Sequence, residues 1–287
     1  MRIGLSTPVV IRVPGAASEW EHSAGVDDIA RVAEAADEFG FDYLTCSEHI
    51  ALPSGEQVGR GSTYWDPLAT LSFLAARTSR IKLATSVLVL GYHHPLEIAK
   101  RYGTLDQLSG GRVVLGVGVG STEEEFALLG ASWADRGARA DDALGALRAS
   151  LSHTQPSYDG EFYSYGGLVV DPCALQPRVP IWVGGHTRRS LRRAATLGDG
   201  WMPFGLRGRD MAEMLASVDV PEGFDVVLAT RPLDPSGQAE ETLRHLRSLR
   251  DNGATAVTCS IAADSLTHYC DQLGALRNLV DNIDQEG

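Results

Sequence analysis

Short apolar runs alternate with amphipathic segments along most of the chain. Most of the runs are continuously apolar, as is typical of strands that are buried on both faces of a parallel sheet. Eight such runs are found, so eight strands are predicted. They are Arg2–Thr7, Asp42–Cys46, Ile81–Leu88, Val113–Gly118, Ile181–Gly184, Gly200–Pro203, Asp225–Thr230 and Ala256–Ile261.

The segments between these runs have the period of helices. Apolar residues recur at i, i+3, i+4 and i+7, most clearly in two stripes, which are Ile29, Val32, Ala33 and Ala36, and Ala140, Leu144, Leu147 and Leu151. Gly40 and Gly110 stand where helix C-caps belong, and Pro67 and Pro95 stand near helix starts. Eight β/α units in one chain predict an α/β fold, a (β/α)8 TIM barrel, as a single domain over residues 1–287. A doubly wound sheet is the alternative, although it usually has fewer strands in one domain.

Two connections are longer than ordinary loops. One is Ile50–Trp65, which follows the second strand, and the other is Ser152–Pro180, which precedes the fifth. Asp159 and Gly160 stand between aromatic residues in the second segment and predict a hairpin turn there. We therefore expect insertions after strands 2 and 4 that overhang the mouth of the barrel.

Charge and composition limit the partners. The formal net charge of −12 argues against nucleic acid and anionic membrane surfaces. No apolar run reaches the length of a membrane span, and the chain opens directly into a strand-like run, so no signal peptide is expected. The four cysteines are scattered without a C-x-x-C pair, which favours free thiols in a reducing cytoplasm over disulfides or a metal site.

The stretch 106–120 reads DQLSGGRVVLGVGVG and ends a predicted helix before a glycine-rich strand. Gly116, Gly118 and Gly120 are two apart, so one face of this strand lacks side chains. A bare face lets a flat or phosphorylated ligand lie against the backbone, or it relieves crowding at a barrel corner. The spacing of a dinucleotide-binding loop is absent, because Ser121 stands where that loop needs its last glycine.

The active sites of such barrels lie at the carboxyl ends of the strands. Gly184 and Gly185 follow the fifth strand, and a helix is predicted to begin near Thr187. Helix N-terminal N–H groups suit a phosphate, and Arg188 and Arg189 add positive charge, whereas Arg192 and Arg193 are interpreted as a solvated helix face. The sequence therefore predicts an anion site after strand five.

His49 follows the second strand and is a candidate general acid or hydrogen-bond donor to a bound ring. A hydrogen-bonded structural histidine is the competing interpretation. Glu123–Glu125 are expected in the first turn of a helix, with Glu124 near the mouth. His93 and His94 are adjacent, so their side chains diverge and no metal site is expected from them.

No G-x-S-x-G, H-E-x-x-H or Walker A motif is present. The chain has two lysines, Lys82 and Lys100, and Lys82 begins a predicted strand, which argues against a Schiff-base lyase or isomerase. A mouth with few nucleophiles and much bare backbone suits a cofactor that carries the chemistry itself.

Several short motifs, in order, resemble the luciferase-like superfamily and, within it, the deazaflavin-dependent oxidoreductases. They are Ala35–Tyr43, Glu48–His49, Ala84–Val87, Leu105–Arg112, Gly116–Gly120, Glu124–Phe126, Pro180–Gly185 and Gly198–Trp201.

The resemblance implies a barrel that binds 8-hydroxy-5-deazaflavin (coenzyme F420), or alternatively FMN, at its mouth, and it suggests a homodimer. It places His49 near the reactive ring and a strand bulge at Ser86–Val87 behind the ring, often with a non-proline cis peptide bond. The Gly184–Gly185 pair would contact the phosphate. Relatives often have Asp in place of Glu48, and the sugar-phosphate dehydrogenases have an acid in place of Ser121.

The resulting prediction is an F420-dependent oxidoreductase that transfers hydride between deazaflavin C5 and an unidentified small organic substrate, with His49 as the catalytic residue. The predicted cofactor-binding residues are Glu48, Ser86, Val87, Gly118, Gly120, Ser121, Gly184, Gly185, Thr187 and Arg188. The predicted substrate pocket comprises Tyr64, Trp65, His93 and Phe204. The alternatives are an FMN-dependent monooxygenase that uses reduced flavin and O2, and a non-catalytic flavin- or deazaflavin-binding protein.

Overall fold

Parallel strands close into a barrel in the computed structural model, which describes residues 1–15, 17–53, 61–206 and 208–285. The barrel strands pair in the order β3–β2–β1–β11–β10–β9–β8–β5, and β5 pairs with β3 to close the ring. In chain order the strands are β1 (Arg2–Ser6), β2 (Tyr43–Cys46), β3 (Lys82–Thr85), β4 (Leu88–Val89), β5 (Val113–Gly118), β6 (Tyr158–Asp159), β7 (Ser164–Tyr165), β8 (Ile181–Gly184), β9 (Gly200–Met202), β10 (Asp225–Leu233) and β11 (Ala256–Ile261).

Helices follow the barrel strands and pack on the outside. They are α1 (Val26–Glu38), α2 (Pro67–Ala75), α3 (Pro95–Ser109), α4 (Glu123–Leu128), α5 (Arg136–Ser150), α6 (Arg188–Leu197), α7 (Gly208–Leu215), α8 (Ala239–Asp251) and α9 (Leu266–Gln285). Both predicted apolar stripes are buried in the core, on α1 and α5. Pro67 and Pro95 are the first residues of their helices, and Gly110 caps α3 with a φ of 71°. The predicted (β/α)8 barrel is confirmed, and so are the helix boundaries that Pro67, Pro95 and Gly110 indicated.

The third strand of the barrel is interrupted, whereas its apolar run predicted one continuous strand. Leu83 pairs with Val113, but Leu88 pairs with Val117, so β3–β4 advances five residues while β5 advances four. The extra residue forms a bulge, and the Ser86–Val87 peptide bond within it is cis. The bulge expected from the resemblance is therefore present.

The DQLSGGR part of the glycine-rich stretch, residues 106–112, stabilises the end of the barrel at which the strands begin. Arg112 is buried, and its guanidinium donates to the carbonyls of Ala75 (2.9 Å) and Ile81 (3.0 Å). Asp106 accepts a hydrogen bond from the Val113 amide (3.2 Å). Gly116 is also structural, because a Cβ there would lie 2.0 Å from the Thr85 carbonyl oxygen.

The second predicted insertion contains the expected hairpin, in which β6 and β7 pair antiparallel. Asp142 of α5 anchors this hairpin by accepting hydrogen bonds from the Tyr158 hydroxyl and the Phe162 amide, both at 2.7 Å. In the first insertion, Ile11 forms an antiparallel bridge with Tyr64. Residues 54–60 of that insertion lie outside the described part of the chain. None of the helices described is long and apolar enough to cross a membrane.

Candidate active site

A cavity of about 700 Å³ opens where the barrel strands end at their carboxyl termini. Because parallel strands end on the same edge of the barrel, residues that are far apart in sequence meet there. Most of the predicted site residues line this cavity, namely Glu48, His49, Tyr64, Ser86, Val87, Gly118, Gly120, Ser121, Gly184, Gly185, Thr187 and Phe204.

Three predicted site residues do not line it. Trp65 packs against the hydrophobic core, and His93 lies behind the cavity wall, where it contacts Glu48. Arg188 is exposed on α6, and the next residue, Arg189, lines the cavity instead. Successive helical residues project about 100° apart, and the sequence alone does not determine which of the two arginines faces inward.

His49 is held by a buried carboxylate that the sequence interpretation missed. Its Nδ1 lies 2.9 Å from Oε2 of Glu125, whose side chain is fully buried. Glu125 also accepts hydrogen bonds from the Ile50 amide (2.5 Å), the Ala51 amide (3.1 Å) and the Tyr92 hydroxyl (2.7 Å).

The hydrogen bonds to Glu125 determine which nitrogen of His49 can act. Burial favours the neutral acid, but the bonds from Tyr92, His49 and the two backbone amides outweigh it and lower the pKa of Glu125. An ionised carboxylate only accepts hydrogen bonds, so His49 Nδ1 carries the proton. Nε2 is then the nitrogen available to a ligand. The edge of the His49 ring contacts Tyr64, with ring centroids 4.6 Å apart.

Glu123 and Glu124 are exposed, as expected for the first turn of a helix, but they do not line the cavity. The buried residues are Thr122, which precedes α4, and Glu125 and Phe126 within the helix. Of these three only Phe126 is apolar, so no apolar periodicity distinguishes Glu125 from Glu123 and Glu124 in the sequence.

The buried Glu48 and the partly buried His93 form a second pair. Oε1 of Glu48 lies 2.7 Å from His93 Nε2, and Oε2 accepts a hydrogen bond from the Val89 amide at 2.6 Å. Burial disfavours the charged imidazole, but the hydrogen bond and the charge of Glu48 outweigh it and raise the pKa of His93. Both carboxylate oxygens of Glu48 therefore have protein partners. The pair ties the end of β2 to the residues after the bulge.

The bare face of β5 is occupied by a side chain of the protein. A Cβ at Gly118 would lie 2.7 Å from Cγ2 of Val87, and a Cβ at Gly184 would lie 3.0 Å from its Cγ1. Gly120 has a φ of 83°, and a Cβ there would lie 2.3 Å from the Phe126 ring. The interpretation that these glycines relieve crowding is therefore the better one, and the Val87 side chain forms the floor of the cavity.

The N-terminus of α6 forms another part of the wall. Thr187 is the N-cap, and its hydroxyl accepts a hydrogen bond from the Ser190 amide at 3.1 Å. Gly185 adopts a φ of 132°, and a Cβ there would lie 2.7 Å from Cβ of Ser190, so the close approach of strand and helix needs glycine. The Ser190 amide is therefore taken by the cap, whereas the amides of Arg188 and Arg189 precede the first i→i−4 hydrogen bonds of the helix and suit an anion.

A smaller cavity of about 280 Å³ lies beside the first and shares part of its wall. The shared residues are Ser47, Ser86, Val87 and Phe204. The rest of its described lining is hydroxyl-bearing or apolar and carries no charge, namely Ser6, Thr45, Met202, Pro203, Val227, Ala229, Thr258 and Ser260. Sequence analysis did not identify this inner cavity, because each strand contributes only one or two of its residues.

Comparison with known proteins identifies the family. Residues 1–263 match the model of the luciferase-like monooxygenase family. An uncharacterised protein of Mycobacterium tuberculosis is 33% identical over 186 residues, which cover 60% of this chain and 66% of that protein. An F420-dependent glucose-6-phosphate dehydrogenase of Nakamurella multipartita is 32% identical over 200 residues, which cover 68% of this chain and 57% of that enzyme. The matched region thus spans 66% and 57% of the length of these two curated relatives.

Solved structures share the fold over nearly the whole chain. The monooxygenase RslO1 from Streptomyces bottropensis has a TM-score of 0.77 and 22% identity, covering 99% of this chain and 100% of that one. An F420-dependent secondary alcohol dehydrogenase, solved with an F420–acetone adduct, has a TM-score of 0.74 and 13% identity, covering 98% of each chain. Because the family model matches residues 1–263, the chain is a member of the luciferase-like monooxygenase family.

Proposed function

We propose that this protein is an F420-dependent oxidoreductase, which transfers hydride between C5 of the deazaflavin and a small uncharged organic substrate. The observation that carries the proposal is the oriented imidazole of His49, which lines the same cavity of about 700 Å³ as the Val87 side chain. The similarity to a relative named as an F420-dependent dehydrogenase supports the choice of cofactor.

The residues of the cavity fit such a cofactor. A volume of about 700 Å³ is within the range of cofactor pockets. The aliphatic side chain of Val87 offers an apolar contact for a flat ring, and the N-terminus of α6 offers amide donors for a phosphate. When bound, a deazaflavin supplies a carbon that gives or accepts hydride.

The residues of this chain would then position the substrate and move a proton. His49 would give a proton to, or take one from, an oxygen of the substrate through Nε2, while Glu125 keeps Nδ1 protonated. The inner cavity would hold the rest of the substrate, since its hydroxyl groups can hydrogen bond to an alcohol or a carbonyl. The lack of charge on its described lining favours an uncharged substrate over a phosphorylated one.

Titration of the purified protein with F420 and with FMN, followed by tryptophan fluorescence, tests the choice of cofactor. We expect micromolar binding of F420 and much weaker binding of FMN.

Reduced or oxidised F420 is then mixed with a panel of neutral ketones and alcohols, and the change in deazaflavin absorbance is followed. Turnover should fall at least tenfold in His49→Ala, whereas Glu124→Gln, on the exposed face of α4, should retain the wild-type rate.

Two outcomes contradict the proposal. Micromolar binding of FMN with none of F420 would favour a flavin-dependent monooxygenase. Tight binding of F420 without turnover of any donor or acceptor would favour a non-catalytic binding protein.

A further inference from the structure

The outer end of the main cavity carries a cation that sequence analysis did not identify. Arg136 is the first residue of α5 and lines the cavity together with Trp133 and Gly137. Its guanidinium carbon lies 3.5 Å from the centre of the Trp133 ring, and Nη1 donates to the Trp133 carbonyl at 3.0 Å. This stacking holds the planar guanidinium in one orientation at the cavity wall.

Arg136 differs from the neighbouring arginines in its charge balance. The prediction of a solvated face is wrong for Arg193, which is buried, pairs with Asp141 and donates to the Gly137 carbonyl at 2.9 Å. Arg189 lies 3.5 Å from the same aspartate. No carboxylate in the described part of the chain lies within ion-pair distance of Arg136, and its Nε is buried without a hydrogen-bond partner there. An arginine on a cavity wall whose charge is not balanced by a neighbouring carboxylate is suited to an anionic ligand.

Arg136 lies close to the helix N-terminus that suits a phosphate. A Cβ at Gly137, the next residue, would lie 3.4 Å from the guanidinium of Arg189 in the first turn of α6. The starts of α5 and α6 are therefore neighbours and line the same cavity. A ligand with a phosphate at α6 and further negative charge beyond it would meet Arg136 next.

We propose that Arg136, stacked on Trp133, binds the anionic tail of F420 and so contributes to the selection of this cofactor over FMN. In F420 the ribityl phosphate is a diester that continues through lactate into glutamate residues, so negative charge extends beyond the phosphate. FMN ends at its phosphate monoester. This inference rests on the proposed function, because it assigns a residue to the cofactor proposed there.

The test compares F420 with its precursor that ends at the ribityl hydroxyl and has no phosphate, lactate or glutamate. Dissociation constants are measured by fluorescence for the wild type, Arg136→Gln and Arg139→Gln. Arg139 is a matched control, because it lies one turn along α5, pairs with Asp135 at 2.9 Å and does not line the cavity. We expect Arg136→Gln to raise the dissociation constant of F420 about tenfold and to leave that of the precursor within twofold.

Further measurements separate charge from folding. Arg136→Glu should weaken F420 binding more than Arg136→Gln, while circular dichroism and binding of the precursor stay as in the wild type. The affinity of Arg136→Gln for F420 should also depend less on salt, since an ionic contact is lost.

Two results would overturn the assignment of Arg136. One is unchanged F420 affinity in Arg136→Gln, and the other is an equal loss of affinity for F420 and for the precursor. In both cases the wild type still binds F420, so the proposed function stands. If the wild type binds neither compound, the proposed function itself fails.

Discussion

At the residue scale, the site depends on a histidine whose orientation is set by an acid 76 positions away. Glu125 accepts a hydrogen bond from His49 Nδ1 and also holds the amides of Ile50 and Ala51. The same carboxylate therefore positions both the imidazole and the backbone that follows it. We assign Glu125 as a positioning residue that acts through His49.

Replacing Glu125 with glutamine keeps the size of the side chain but removes its charge. Because the proton on Nδ1 of His49 is then no longer held, kcat should fall about 10- to 100-fold, as is typical when a buried partner of a functional histidine is lost. The affinity for F420 should stay within twofold. The pH dependence of kcat should also shift, which a purely structural role would not produce. An unchanged kcat and pH profile in Glu125→Gln would show that Glu125 has no positioning role.

The Glu48–His93 pair should make stability depend on pH. The pKa of His93 is raised in the folded protein, so the pair contributes fully below the unfolded pKa of about 6.5 and loses its contribution as pH rises through the folded value. The difference in free energy of unfolding between the wild type and His93→Gln, measured by urea denaturation, should therefore be larger at pH 6 than at pH 9. The control is His268→Gln, since the pair of His268 with Asp264 is exposed and should contribute little at either pH. A difference between wild type and His93→Gln that is independent of pH would contradict the prediction.

At the element scale, the glycines of two strands and the bulge of a third form one unit. Val87 projects from the bulge between Gly118 of β5 and Gly184 of β8. Each glycine is needed because the Val87 side chain occupies the space that a Cβ would fill. The floor of the cavity therefore depends on three strands at once.

Gly118→Ala tests this arrangement. The added methyl would lie 2.7 Å from Cγ2 of Val87, so the floor must shift, at a cost of about 1–3 kcal/mol in stability. We expect the affinity for F420 to fall about tenfold. The double variant Val87→Ala/Gly118→Ala should recover part of the loss, because the smaller side chain removes the collision. If the two substitutions are additive in both stability and affinity, Gly118 and Val87 are not coupled.

At the scale of the whole molecule, one end of the barrel forms the candidate active site and the other end has a structural role. The carboxyl ends of the strands form the cavities, whereas the opposite end holds Asp106 and Arg112. Arg112 joins the end of α2 to the start of β3 through the carbonyls of Ala75 and Ile81. Asp106 and Arg112 therefore contribute to closure of the barrel, and neither is among the described residues that line the cavity.

Arg112→Met should destabilise the protein by about 3 kcal/mol, because several buried carbonyl groups lose a charged donor. The control is Arg101→Met. Arg101 forms an exposed pair with Glu97, so its replacement should change the free energy of unfolding by less than about 0.5 kcal/mol. Denaturation in urea measures both, and binding of F420 by the folded Arg112→Met protein should be unchanged. A loss of stability no greater than that of Arg101→Met would remove the structural role assigned to Arg112.

The pattern along the chain was sufficient to predict the barrel and much of its mouth. Strands buried on both faces are apolar throughout, so eight such runs indicated eight barrel strands, and the carboxyl ends of those strands indicated His49, Val87 and Gly185. The ends of the helices could also be predicted from local sequence, because Pro95 and Gly110 act through their own backbone conformations. The alternation of apolar runs with amphipathic segments, and the identity of the residues at the strand ends, can be taken from the sequence itself.

Only the tertiary structure decided what each of these residues faces. Glu125 appears in the sequence as one of three consecutive acids, and its burial against His49 follows from the rotation of α4. The guanidinium of Arg136 acquires its importance from the Trp133 ring and from the nearby start of α6. These outcomes depend on side-chain direction and on contacts between distant segments, which a one-dimensional pattern of apolar and polar positions does not contain.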